Sequence, residues 1–160
     1  MNPYAAPGTR PEGAATEEDI AEAVPPAMAR VAGGFIALAG GVVALTGTQT
    51  LLMARVRGPW ASVPYLLLLL GLPHLVLGIL VVRARAWAVL VSLGGTLLLF
   101  VTSGAWLLFS LGHFVFSLYA LASPAAAVTA LVFAFLALGP CQKATAARAR
   151  LRAQGMNLGI

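Results

Sequence analysis

Four long apolar runs dominate the chain: Val31–Met53, Ala61–Val82, Ala86–Leu111 and a fourth that ends at Gly139. None contains an Asp, Glu, Lys or Arg. A helix needs about 20 apolar residues to cross the hydrocarbon of a bilayer, and each run is long enough. Lipid offers no hydrogen bonds to a free backbone, so segments of this kind cross as helices. Length decides this assignment, because periodicity alone does not separate a buried helix from a buried strand. The runs predict an all-α integral membrane bundle of four transmembrane helices with short loops. The spans are about 31–53, 61–82, 86–111 and 118–139, the last with a bend at Pro124.

The flanks differ sharply. Residues 1–29 hold five prolines, and all five acidic residues of the chain lie within positions 12–22. So little apolar area cannot offset the entropy of ordering, and 1–29 is expected to be a disordered acidic tail. One short helix is foreseen at Thr16–Ala23, capped by Thr16 and with acids in its first turn. The membrane domain then covers 30–140. Residues 141–160 are expected to form a basic tail, helical after a break at Gly139-Pro140. The acidic segment Glu17–Glu22 is a candidate to pair with this tail, within or between chains.

Composition narrows the class. Hydrophobic residues make up 60% of the chain, charged residues only 9%, and mean hydropathy is +0.92. Soluble domains carry about 25% charged residues, so a soluble enzyme is excluded. Residues 1–22 sum to −4 and residues 23–160 to +9. The cations lie in short loops and a tail beside apolar runs, which is the pattern of membrane orientation and not of a nucleic-acid surface. One side would carry Arg10, Arg30, Arg83, Arg85, Lys143, Arg148, Arg150 and Arg152, the other only Arg55 and Arg57. That split predicts both termini in the cytoplasm. Nine Arg against one Lys, with abundant Ala, points by association to a GC-rich bacterium, and the expected location is its inner membrane. Trp60, Tyr65, Trp87, Trp106 and Tyr119 fall near span ends, as an aromatic belt would.

Small residues mark the helix faces. In the first span Gly33, Ala37, Gly40, Ala44 and Gly47 are spaced 4, 3, 4 and 3. A 3.5-residue period keeps one seam turned to a partner helix, and small side chains let backbones approach. Gly34 and Gly41 would widen that stripe. Gly71 and Gly78 lie one heptad apart in the second span. Ala88, Ser92, Gly95 and Thr102 share a face of the third, and Ala122, Ala126, Ala130, Ala134 and Ala137 run along the fourth. Whether the first-span seam meets this chain or another copy is left open by the sequence.

Few residues carry chemistry. His74 is the ionisable side chain deep in the apolar region, about 3 Å from the midplane of its span by helix rise. It shares a face with Gly71 and Gly78 and follows Pro73. An intramembrane ionisable group is a functional candidate by default. The plainer role is a neutral imidazole bonded to a carbonyl at a kink, or to Thr96 or Thr129 at similar depth. Thr46–Thr50, which includes Gln49, is the second polar cluster. It either ties helices together or, with Thr102 and Ser103, lines a shallow vestibule. Cys141 is single, so no internal disulfide forms. No carboxylate lies in a span for paired-acid or triad catalysis. His74, His113 and Cys141 sit at different depths, which excludes a metal site or a shared haem, and no cofactor is expected.

These residues point to a non-enzymatic membrane protein. The leading expectation is a structural or accessory subunit, associating with its own copies or other membrane subunits through the small-residue seam. The alternative is an oligomeric channel or transporter for a small solute or ion, with His74 and Thr46–Thr50 on the path. The bilayer is the expected partner and nucleic acid is not.

Overall fold

A computed structural model of the chain describes residues 16–53, 61–112 and 118–156. Expectations that rest on Arg10, Arg55, Arg57, Trp60 and His113 lie outside the described residues. Five helices follow in order: α1 (Glu17–Ala23), α2 (Ala27–Met53), α3 (Val63–Val82), α4 (Ala86–Gly112) and α5 (Leu118–Ala153). The described residues contain no strand. Helices α2 to α5 are each long and apolar enough to cross a membrane, so the chain is an all-α bundle of a multi-pass membrane protein.

The helices form a ring. α2 packs most closely against α3, α3 against α4, α4 against α5, and α5 returns to α2, while the diagonal α2–α4 contact is slight. Small and medium side chains fill the centre in two clusters. One contains Ala29, Ile36, Val81, Ala88, Ala134 and Cys141. The other gathers Val43, Leu67, Leu99, Trp106, Ala120 and Ala127. Phe35 of α2 stacks on Phe133 of α5 with ring centroids 4.4 Å apart. Large side chains such as Leu69, Leu108 and Phe135 face outward. In a membrane these contact lipid, so close packing and not water exclusion holds the interior together.

The short helix foreseen at Thr16–Ala23 forms as α1, and two other boundaries differ from the sequence expectation. Thr16 and Asp19 form a capping box, with Asp19 N–H donating to Thr16 Oγ1 at 3.1 Å and Thr16 N–H to Asp19 Oδ2 at 3.2 Å. α2 begins at Ala27, four residues ahead of its apolar run. Most consequentially, α5 does not break at Gly139-Pro140. Its buried stripe runs Ala127, Ala130, Ala134, Ala137, Cys141, Ala144, Ala147 and Leu151. That register holds the helix through the missing Pro140 N–H. At 1.5 Å per residue the 36 residues extend about 54 Å, well beyond a hydrocarbon core of about 30 Å.

The basic end of α5 therefore stands outside the apolar zone, and α1 lies on it. Ala23, Ala147 and Leu151 form a small buried cluster with Met156 beside it. Arg150 pairs with Asp19 (3.5 Å) and Glu22 (3.1 Å) across the same contact. The acidic segment thus pairs with the basic helix within one chain. Hydrogen bonds from Thr16, first to the side chain and then from the backbone, lower the Asp19 pKa, and Arg150 adds to the shift. A carboxylate depressed in this way contributes stability above its unfolded value and loses it as pH falls through the folded one. Helix α1 should hold between about pH 6 and 8 and unwind in acid below the ordinary carboxylate range. NMR shifts of residues 17–23 across that range check this; unchanged shifts in acid would disprove the coupling.

The turn between α3 and α4 is a second feature of this end. Ala84 is buried with φ +51°, a left-handed conformation that costs an L-residue about 1–2 kcal/mol. Its N–H bonds the Val81 carbonyl at 2.7 Å, closing the end of α3. Ala84→Gly removes the Cβ penalty and should raise thermal stability slightly, by up to about 1 kcal/mol. Ala84→Val should lower it, and thermal unfolding in detergent distinguishes the two.

Candidate functional site

The small-residue stripe of α2 closes on α3 of the same chain. A Cβ added at Gly33 would lie 2.5 Å from the Gly78 carbonyl oxygen, one at Gly40 2.6 Å from that of Gly71, and one at Gly47 2.7 Å from that of Pro64. From the α3 side, a Cβ at Gly71 would meet Ala44 N at 2.7 Å, and one at Gly78 would meet the Ala37 Cβ at 2.7 Å. All seven packing residues expected from the sequence, Gly33, Ala37, Gly40, Ala44, Gly47, Gly71 and Gly78, thus meet in a single intrachain interface. The stripe is narrower than expected. A Cβ added at Gly34 would have nothing within 4 Å, and one at Gly41 would meet only a Leu75 methyl at 3.8 Å.

His74 lies in this interface and reaches past it to α4. It is 3% exposed. Its Nδ1 donates to the Leu70 carbonyl at 2.7 Å. Because a carbonyl only accepts, the proton is on Nδ1 and Nε2 is left as an acceptor. A Cβ at Gly95 would stand 2.7 Å from Nε2, so the ring fits against α4 only because residue 95 has no side chain. Nε2 is buried without a hydrogen-bond partner, and so is the Thr96 hydroxyl oxygen on the next residue. An acceptor on α3 and a hydroxyl on α4 are therefore both unsatisfied inside the bundle.

The other expected partners are arranged differently. Thr129 does not bond His74: its hydroxyl donates to the Ala125 carbonyl at 2.9 Å on a partly exposed face. It shares depth with His74 but not azimuth. In the Thr46–Thr50 cluster, Thr46 is the buried member that joins helices. Its hydroxyl lies 2.6 Å from Ser123 Oγ and 3.2 Å from the Tyr119 carbonyl oxygen of α5, with the Val42 carbonyl of its own helix at 2.9 Å. Thr48 and Thr50 bond back to the Ala44 and Thr46 carbonyls, the usual local use of Thr in such helices. Gln49 is half-buried. Ser123, one residue before Pro124, is the partner that sequence reasoning misses. On α4, Ser103 donates to the Leu99 carbonyl at 2.6 Å and Thr102 to that of Leu98 at 2.8 Å. Trp106 is not part of an aromatic belt, being 2% exposed and packed on Phe109 inside the bundle. Tyr65, Trp87 and Tyr119 are exposed near helix ends.

A cavity of about 970 Å³ opens at the end of the bundle where the start of α2, the α3–α4 turn and the α5 extension meet. Its charged lining is Arg30, Arg83, Arg85, Arg148 and Arg152, and among the described residues no acidic side chain lines it. Arg148 braces the walls. Its Nε donates to the Ala23 carbonyl at 2.8 Å, and its Nη1 to the carbonyls of Arg83 (3.0 Å) and Ala84 (3.5 Å). Its Nη2 is buried without a partner. Burial, then the positive charges of Arg152 and Arg85, pull the Arg148 pKa below its usual value. The Thr145 hydroxyl donates to the Cys141 carbonyl of its own helix at 2.8 Å and lies 3.4 Å from the Ala84 carbonyl oxygen of the same turn. Sequence reasoning places these arginines on one side but does not gather them into one cavity. Their common neighbour, a helix running through Pro140, is the missing piece.

Comparison with protein-family models, curated proteins and solved structures gives no match for this chain. Among the described residues no group of three or more His, Cys, Asp or Glu side chains is placed to hold a metal.

Proposed function

We propose that the chain is a non-enzymatic, multi-pass subunit of a bacterial inner membrane, with both termini in the cytoplasm, that works with other membrane subunits or copies of itself. The observation that carries this reading is that the small-residue stripe and most of the polar groups are used up inside the bundle. The α2 stripe is consumed by α3, Thr46 by α5, and His74 by the Leu70 carbonyl and the Gly95 gap. The α2 seam is therefore not the route of association. Partner contact falls instead to the outward apolar faces, where Leu108 and Phe135 are about seven-tenths exposed. Purification of the intact protein in mild detergent tests this: a defined stoichiometric partner or homo-oligomer is expected, and a lone monomer at every detergent concentration would refute it.

A conduit is the competing reading, and one observation favours it. Nε2 of His74 and the Thr96 hydroxyl are both buried and unsatisfied inside the bundle, as they would be if a passing solute or water completed them. Liposome flux separates the readings. The subunit reading expects no solute flux from wild type or His74→Ala, with a lower melting temperature for the variant. Flux that His74→Ala abolishes, while the bundle stays folded, would establish the conduit.

A further inference from the structure

We propose that the arginine-lined cavity binds the phosphate headgroup of an anionic phospholipid from the leaflet facing this end of the bundle. Five arginines line it from α2, the α3–α4 turn and α5, and among the described residues no carboxylate joins them. The acids of α1 do not neutralise them. Asp19 and Glu22 pair with Arg150, which lies outside the cavity, and no other ion pair is formed among the described residues. Arg148, Arg152 and Arg85 lie close enough for their charges to repel, and an anion relieves that repulsion. Guanidinium forks match the oxygens of a phosphate in planar, two-point hydrogen bonds. Arg148 is committed to three carbonyls, which leaves the exposed Arg30, Arg83, Arg85 and Arg152 to meet the phosphate.

The depth of the cavity selects a lipid over a soluble anion. Val82, the last residue of α3, and Trp87, in the first turn of α4, both line it. Trp87 is half-exposed, and an exposed Trp at a span end sits at headgroup level. The apolar outer faces of α3 and α4 begin at the cavity's edge, with Ile79, Leu90 and Val91 exposed there. A phosphate at this height can keep its acyl chains against those faces. Basic pockets between membrane helices hold lipid headgroups by this same combination of charge and position.

The test uses the full chain purified in mild detergent, with native mass spectrometry reading retained phospholipid. The probes are phosphatidylglycerol, zwitterionic phosphatidylcholine, and inorganic phosphate as a competitor. Wild type should retain phosphatidylglycerol and lose phosphatidylcholine, and millimolar phosphate should not displace the lipid. The double variant Arg83→Gln/Arg85→Gln should bind phosphatidylglycerol about tenfold more weakly. Lys143→Gln, which removes a cation of α5 outside the cavity, should change binding less than about twofold. Equal retention of both lipids, full displacement by phosphate, or equal weakening by Lys143→Gln would each overturn the proposal. The first would show no headgroup selection, the second a free-anion site, and the third diffuse surface attraction. If the double variant loses its helical circular dichroism, Arg152→Gln takes its place, because that exposed side chain makes no hydrogen bond or ion pair within the described residues. Its binding should fall about threefold, and unchanged binding would count equally against the proposal.

Discussion

Gly40→Leu should abolish the folded bundle. Even a bare Cβ at this position would stand 2.6 Å from the Gly71 carbonyl oxygen, 2.7 Å from the His74 Cβ and 3.2 Å from the His74 carbonyl carbon. Two of these atoms are backbone, so no rotamer change relieves the clash and α2 must move away from α3. Overpacking a tight interior usually costs about 1–3 kcal/mol. Here the cost lies at the upper end or beyond, since separating the helices also breaks the neighbouring contacts at Gly33 and Gly47. Native packing between membrane helices has no hydrophobic drive to fall back on. Gly34→Ala, one helical position from the stripe and with nothing near its Cβ, is the matched control. It should be neutral or slightly stabilising through helix propensity. Thermal unfolding in detergent, followed by circular dichroism, reads both. A native transition for Gly40→Leu would refute the interlock of α2 and α3.

Much of that interface is legible from the chain alone. The 4-3-4-3 spacing from Gly33 to Gly47 defines a seam whatever its partner, because small residues at a heptad period have few other uses in lipid. What spacing cannot supply is the identity of the opposite helix. Gly71 and Gly78 carry the same period, and it takes the three-dimensional path of α3 to set them against Gly40 and Gly33. Depth is legible too, and azimuth less so. Height alone assigns both Thr96 and Thr129 to His74, yet only Thr96 lies on the inner face. Distance from a span end assigns Trp106 to the interface, and it points inward instead. Gly139-Pro140 reads as punctuation, although Ala134, Ala137, Cys141, Ala144 and Ala147 keep one register across it. A proline costs a helix one donor and some steric strain; a continuous stripe of packed small residues outweighs that loss. The arginine cavity follows from this continuity. Arg148 and Arg152 meet Arg83 and Arg85 only because α5 carries them there, and no local motif announces a site built from three separate segments.

Arg148→Ala should release α1 and loosen the α3–α4 turn while leaving the spans folded. One guanidinium holds the Ala23, Arg83 and Ala84 carbonyls, joining a helix end to a turn more than 60 residues away in sequence. Hydrogen bonds from a charged donor contribute about 1.5–3 kcal/mol each when buried. Arg148 is only half-buried, so solvent competes for its partners and about 2 kcal/mol in total is a fair expectation. The effect should be local. Ala84 keeps its left-handed backbone partly through these bonds, and Thr145 alone, at 3.4 Å, is a weak substitute. Amide exchange at residues 17–25 and 83–86 should therefore rise about tenfold or more, while exchange in the buried turns of α2 and α3 stays at the wild-type level. Arg148→Lys should not rescue the contact. A single ammonium on a flexible stem cannot address Ala23 from one side and Arg83 from the other, as the fixed Nε and Nη1 directions do. Full protection of both segments in the lysine variant would show that charge alone secures this end of the bundle, and that the forked geometry of Arg148 is dispensable.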